Sequence, residues 1–175
     1  MDQLPGALYR VRQFFQALLA RAPEEEVEQA IRILTPEAQA LFRRQAIQDQ
    51  RHALEVYHTL RQADHTNPQL LAAALLHDVG KAAARLPPWR RAVIVLLNHL
   101  APRLLTRLSQ GEPGGWRHAF VVHARHPEVG ACWAQEAGCS PLTVALIRRH
   151  RDKLAGGGTE QDRLLAALQA ADGMN

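Results

Sequence analysis

Residues 70–81, LLAAALLHDVGK, constrain the fold more than any other stretch of the chain. From Leu70 to Leu76 no side chain is polar, so a helix built from them is apolar on every side and belongs inside a domain. His77 and Asp78 follow at once and go inside with it. A buried carboxylate needs an opposite charge, several hydrogen bonds or a metal, and the imidazole beside it is the commonest protein metal ligand. One cation would satisfy both groups.

At 175 residues the chain has room for one domain with a sizeable core and a small extension. Ala and Leu dominate, Pro and Gly fall between periodic segments, and no run alternates like a strand, so the expected class is all-α. Of 21 basic residues only Lys81 and Lys153 are lysines. The pI of about 9.7 favours anionic partners, but the arginines are scattered, which suits a small phosphate substrate better than nucleic acid. Cys132 and Cys139, seven apart on a helix, are beyond the reach of a disulfide and read as reduced thiols. No apolar stretch is long enough to span a bilayer and no signal-peptide pattern opens the chain, so the expected compartment is the cytoplasm, with no membrane partner.

Two amphipathic helices are expected in residues 1–34, one over 7–21 and one after Pro23, forming an N-terminal helical extension that is structural or a dimer contact. Oligomeric state stays open. Thr35-Pro36 caps a long helical region to about Ala63, with a break near Asp49. His52 lies on its inner side, one turn before Val56, while Asp49 is either a support for that imidazole or a solvated carboxylate. His58 and His65 read as surface residues. Asn67-Pro68 starts the central helix, expected to run to about Ala84, with Pro87 and Pro88 beyond it.

A hydrophobic region over 89–108 is divided by Pro102, and His99 within it reads as packing. Residues 111–115, GEPGG, read as loop, 116–125 as a helix, and 126–131, HPEVGA, as the opening of the next, which Gly138 stops. Ser140-Pro141 starts a helix that leads to His150, four residues after Leu146. Arg148, Arg149 and Arg151 beside it form a solvated face or a phosphate clamp. Residues 155–158 lack the Lys and Ser/Thr of a P-loop and read as a loop or lid. Thr159 with Asp162 caps a last helix on which Leu165, Leu168 and Asp172 share an inward face.

The run His77-Asp78-Val79-Gly80-Lys81 resembles the doublet motif of the HD superfamily of metal-dependent phosphohydrolases. His52 stands 25 residues upstream, His126 opens HPEVGA, His150 follows 24 residues later and Asp172 closes the set, so the resemblance covers residues 35–175. It implies an HD-domain helical bundle over that range. It also implies that His52, His77, Asp78 and Asp172 hold one divalent ion and that His126 and His150, with Asp78 bridging, hold a second and looser one. His123, one turn before His126, is the nearest competitor as a ligand. Mixed imidazole and carboxylate ligands favour iron or manganese, one or two ions per chain.

The implied activity is hydrolysis of a phosphate ester or anhydride of a nucleotide-like substrate by metal-bound hydroxide, with Asp78 and Lys81 as catalytic residues and Lys81 facing the phosphate. HD enzymes that cleave dinucleoside tetraphosphates are a close comparison, and cyclic dinucleotides and deoxynucleotides stay open. Residues 150–158 look like a worn form of the segment in cyclic-dinucleotide phosphodiesterases, with Arg151 in place of a second His. The alternative is an HD module that binds metal or ligand without turnover.

Overall fold

The computed structural model describes residues 22–84, 93–94, 96–97, 100–110, 117–154 and 158–175, and among them the regular structure is helical with no strand. In chain order come α1 (Glu24–Ile31), α2 (Pro36–Arg44), α3 (Ile47–Gln62), α4 (Pro68–Leu76), a 3-10 segment (Val79–Ala84), α5 (Pro102–Leu108), α6 (His118–Glu136), α7 (Pro141–Arg149) and α8 (Glu160–Met174). The expected N-terminal helix over 7–21, Pro87 and Pro88, His99, the 111–115 loop and most of the 155–158 loop lie outside the described residues.

Capping chemistry sets where several helices begin. Thr35 Oγ1 accepts from Ala38 N at 3.1 Å, Asn67 Oδ1 from Gln69 N at 2.9 Å, and Ser140 Oγ from Thr143 N at 3.1 Å. In each case a proline follows the cap, losing only an N–H that had no intrahelical partner. Thr159 caps α8 by accepting from Asp162 N.

The apolar run does what its composition demands: residues 70–76 are all buried, with α3, α7 and α8 packed around α4. Phe42, Leu54, Leu60, Leu75, Leu146, Ile147, Leu165 and Leu168 fill the same core, and Val27, Ala30 and Ile31 of α1 join it. Truncating one such leucine to alanine costs roughly 2–5 kcal/mol. A separate small cluster gathers Ile94, Leu105 and Ala119. No helix among the described residues is long and apolar enough to cross a membrane.

Three helix boundaries differ from the sequence expectation, each for a local reason. The break after α2 falls at Gln45 and Ala46 rather than near Asp49; both residues are extended, and buried Gln45 donates from Nε2 to Leu75 O at 3.1 Å. The central α-helix stops at Leu76, not Ala84, and His77 and Asp78 form a turn into the 3-10 segment. There, a Cβ on Gly80 would lie 2.0 Å from His126 O, so only glycine permits this approach to α6. Finally, residues 116–125 and HPEVGA do not make two helices: α6 runs unbroken through Pro127, placing His126 in mid-helix. It ends at Glu136, ahead of Gly138, whose φ is +75°.

Candidate metal centre

Six residues spread over 120 positions meet at the end of α4. His77 and Asp78 come from the turn after α4, His126 from α6, His150 from the end of α7, His52 from α3 and Asp172 from α8. They form two groups of converging ligand atoms, His52–His77–Asp172 and Asp78–His126–His150. The second is buried throughout, whereas His52 and Asp172 keep a quarter to a third of their side-chain surface exposed, at 25% and 32%.

Asp78 divides its oxygens between the groups. Oδ1 lies 3.1 Å from Nε2 of His126 and 3.8 Å from Nε2 of His150. Oδ2 lies 3.4 Å from Nε2 of His77 and 4.0 Å from Nε2 of His52, and Lys81 Nζ also donates to it. Asp172 Oδ1 is 2.8 Å from His52 Nε2 and 3.4 Å from His77 Nε2. One carboxylate therefore spans both groups and the other serves only the first.

Three imidazoles are oriented by carbonyls that the helices leave unclaimed. His77 Nδ1 donates to Ala74 O at 2.9 Å and His150 Nδ1 to Ile147 O at 2.7 Å, each using a carbonyl of a last helical turn. In mid-helix no such carbonyl is ordinarily available. Pro127 supplies one: lacking an N–H, it cannot bond His123 O four residues back, and His126 Nδ1 takes that oxygen at 2.5 Å. With Nδ1 committed as donor in all three, Nε2 of each faces the cluster and in the neutral ring offers it a lone pair, the arrangement that orients metal-binding histidines.

The electrostatics ask for positive charge. Burial disfavours the charged form of His77, but Asp78 and Asp172 outweigh it and push this imidazole up to about 10. Burial likewise opposes ionisation of Asp78, yet His77 and Lys81 hold it well below the usual carboxylate range. Asp172 is lowered too, through His52 and His77 against the cost of burial. On the other side, burial and the charge of His77 press His150 down to about 3.

These residues fit a divalent cation. His77 Nε2 is fully buried without a hydrogen-bond partner, and a buried polar nitrogen left unpaired is costly. Imidazole nitrogens with two carboxylates form a donor set suited to borderline divalent ions. The buried Asp78, His126 and His150 group could bind a metal by itself.

All six residues singled out by sequence thus share one site, and Lys81 borders it. His123 stands outside, its ring 5.7 Å from that of His126. Asp49, three residues before His52 on α3, is buried, which removes the solvated-surface reading. His58 pairs with Glu26 at 2.8 Å, away from the cluster. Arg148 and Arg149, considered as phosphate ligands, are instead paired with Glu128 and with Asp162 and Asp152.

Sequence reasoning overlooked Pro127, whose signal was its position directly after a candidate ligand. It also overlooked Gln169, three residues before Asp172 on α8. Its Nε2 donates to His150 O at 3.0 Å and to Asp152 O at 2.8 Å, anchoring the turn that carries His150.

Compared with protein-family models, curated proteins and solved structures, the chain matches none of them.

Proposed function

We propose that this chain is a metal-dependent phosphohydrolase of the HD type, acting on a phosphate ester or anhydride of a nucleotide-like substrate. The observation that supports it most is Asp78, a buried carboxylate whose two oxygens face two separate sets of imidazole Nε2 atoms. A purely structural histidine core has no need to gather four imidazole Nε2 atoms around two carboxylates, because such groups are satisfied at lower cost by separate hydrogen bonds.

In this reading His52, His77, Asp78 and Asp172 hold one ion, and His126, His150 and Asp78 hold the second, with iron or manganese favoured by the donor set. When bound, the ions lower the pKa of a coordinated water and offset negative charge on phosphate oxygens. Asp78 fixes the spacing between the two halves. Lys81, paired with Asp78 and about a third exposed at 31%, brings a positive charge to the solvent side of the cluster, where it favours an incoming phosphate and the charge that develops on it. The carbonyl-bound Nδ1 atoms of His77, His126 and His150 fix which nitrogen each of these three rings turns to the site.

The contact between Lys81 and Asp78 also favours a second reading, a metal- or ligand-binding module without turnover, since a lysine held by a carboxylate is less available to substrate. One experiment separates them: elemental analysis of the purified protein, followed by a panel of nucleotide phosphates with wild type and Lys81→Ala. Bound metal with turnover that falls in Lys81→Ala supports the hydrolase. Metal with no turnover on any member supports the binding module, and metal-free protein that hydrolyses nothing overturns both.

A further inference from the structure

Three arginines stand at the end of α7, and two are matched by carboxylates. Arg148 Nε lies 3.1 and 3.0 Å from the two oxygens of Glu128, while Arg149 reaches Asp162 at 3.2 Å and Asp152 at 3.6 Å. Among the described residues no carboxylate pairs with Arg151. Its Nη1 sits 3.5 Å from Nε2 of His123, a long contact that leaves most of a five-donor guanidinium uncommitted.

The backbone on both sides of Arg151 is nevertheless fixed. Gln169 grips the carbonyls of His150 and Asp152 with a single amide nitrogen, and Asp152 N closes on Arg149 O at 2.8 Å. The anchoring that holds the turn carrying His150 therefore also fixes where Arg151 leaves the backbone. Because Gln169 precedes Asp172 on α8, the same helix sets both Arg151 and a carboxylate of the cluster.

The placement of this guanidinium follows from the ring contacts. His150 and His126 have centroids 5.2 Å apart, His126 and His123 5.7 Å, and Arg151 lies beyond His123. The positive charges of Arg151 and Lys81 both act on His123, which Arg151 contacts directly. Arg151 is exposed and Lys81 partly so.

We propose that Arg151, braced on His123, binds a second phosphate group of the substrate, so that the chain takes diphosphate or polyphosphate esters in preference to monoesters. This deepens the hydrolase reading, which places the reacting phosphate at the metal cluster; Arg151 takes its neighbour. A guanidinium engages phosphate oxygens through two parallel N–H donors, which lysine cannot reproduce.

The test uses the full chain as purified, with inorganic pyrophosphate and orthophosphate as probes in calorimetric titrations of wild type, Arg151→Gln, Arg151→Lys and Arg148→Gln. Wild type is expected to bind pyrophosphate about tenfold more tightly than orthophosphate, the scale of one charge-assisted pair. Arg151→Gln should erase that preference, Arg151→Lys should restore part of it, and Arg148→Gln should keep it, all with unchanged metal content. A wild type without preference, an Arg151→Gln protein that retains it, or equal loss in Arg148→Gln overturns the proposal. Failure of the hydrolase reading looks different: a preference that depends on Arg151, in a protein that turns over no phosphate ester, leaves the anion site standing and removes the catalysis.

Discussion

The two halves of the candidate metal centre are built from similar residues but sit in unlike surroundings. Asp78, His126 and His150 are enclosed, and both imidazoles are locked through Nδ1 to backbone carbonyls. In the other half only His77 has that combination, while His52 and Asp172 hold each other at 2.8 Å at the solvent edge. From ligand count alone, the ion held by His126 and His150 should be the looser. Burial argues for the opposite order of exchange, because a half sealed by core helices opens less readily than one with a quarter to a third of two side chains exposed. Ligand number sets affinity, whereas packing sets access, and here the two point in different directions.

The largest expected effect comes from the residue the halves share. Asp78→Ala should remove both ions and lower phosphatase turnover by on the order of 1000-fold, checked by elemental analysis and assay on folded protein. Stoichiometric metal retained in that variant would show that the halves do not depend on a common carboxylate.

Separating the halves is the next test. His126→Ala with His150→Ala should lower the metal content by about one ion per chain, and His52→Ala with Asp172→Ala should do the same. In wild type, a chelator should strip the His52–Asp172 half first. A metal count that never exceeds one in wild type reconstituted with excess iron or manganese would end the binuclear reading.

Pro127→Ala probes how the enclosed half is oriented. Alanine returns an N–H to His123 O and removes a proline from a helix interior, so the fold should gain about 1–3 kcal/mol in denaturant melts. His126 Nδ1 must then compete for its carbonyl, and metal affinity should fall about 10- to 100-fold. A variant that gains stability and keeps its affinity would show that the proline does not set the imidazole.

The smallest effect expected is on the pH dependence of metal-stripped protein, where His77 and His150 should carry opposite signs. His77, raised to about 10, contributes stability that is complete below its unfolded value near 6.5 and lost as pH rises toward 10. His150, lowered to about 3, resists protonation when folded, so stability falls as pH drops from 6.5 toward 3. Melting temperature should therefore peak near pH 6.5, with His77→Gln flattening the alkaline limb and His150→Gln the part of the acidic limb that lies above the carboxylate range, below which the lowered Asp78 and Asp172 add their own loss. Limbs that both survive these substitutions would place the pH response elsewhere in the molecule.

Much of this was legible along the chain because the signals are local. Cap-and-proline pairs at Thr35, Asn67 and Ser140 announce helix starts within two residues, and an uninterrupted apolar run has to be buried wherever it lies. Residue type and inward helical position gave more histidines than the site uses, and the resemblance around His77-Asp78 and HPEVGA was what singled out His52 and set His126 ahead of His123. The end of α4 was not legible: the sequence from Leu70 to Ala84 holds no proline, and the α-helix stops where the backbone at Gly80 presses on His126 O, a contact made by a residue 46 positions away. Pro127 misled in the other direction, since by local rules it starts or breaks a helix, whereas α6 tolerates it by giving the freed carbonyl to His126.

What the sequence determined by itself is an all-helical chain with a buried His-Asp pair and further histidines and an aspartate on inward faces, because helical periodicity, capping and burial depend on neighbours a few residues apart; that those residues meet was only what the family resemblance implied. What only the tertiary structure decided is which oxygen of Asp78 faces which imidazole, which half of the centre is sealed, and which of three adjacent arginines is left without a carboxylate among the described residues. Those outcomes depend on distances between helices remote in sequence, and no local pattern encodes how close two such helices come.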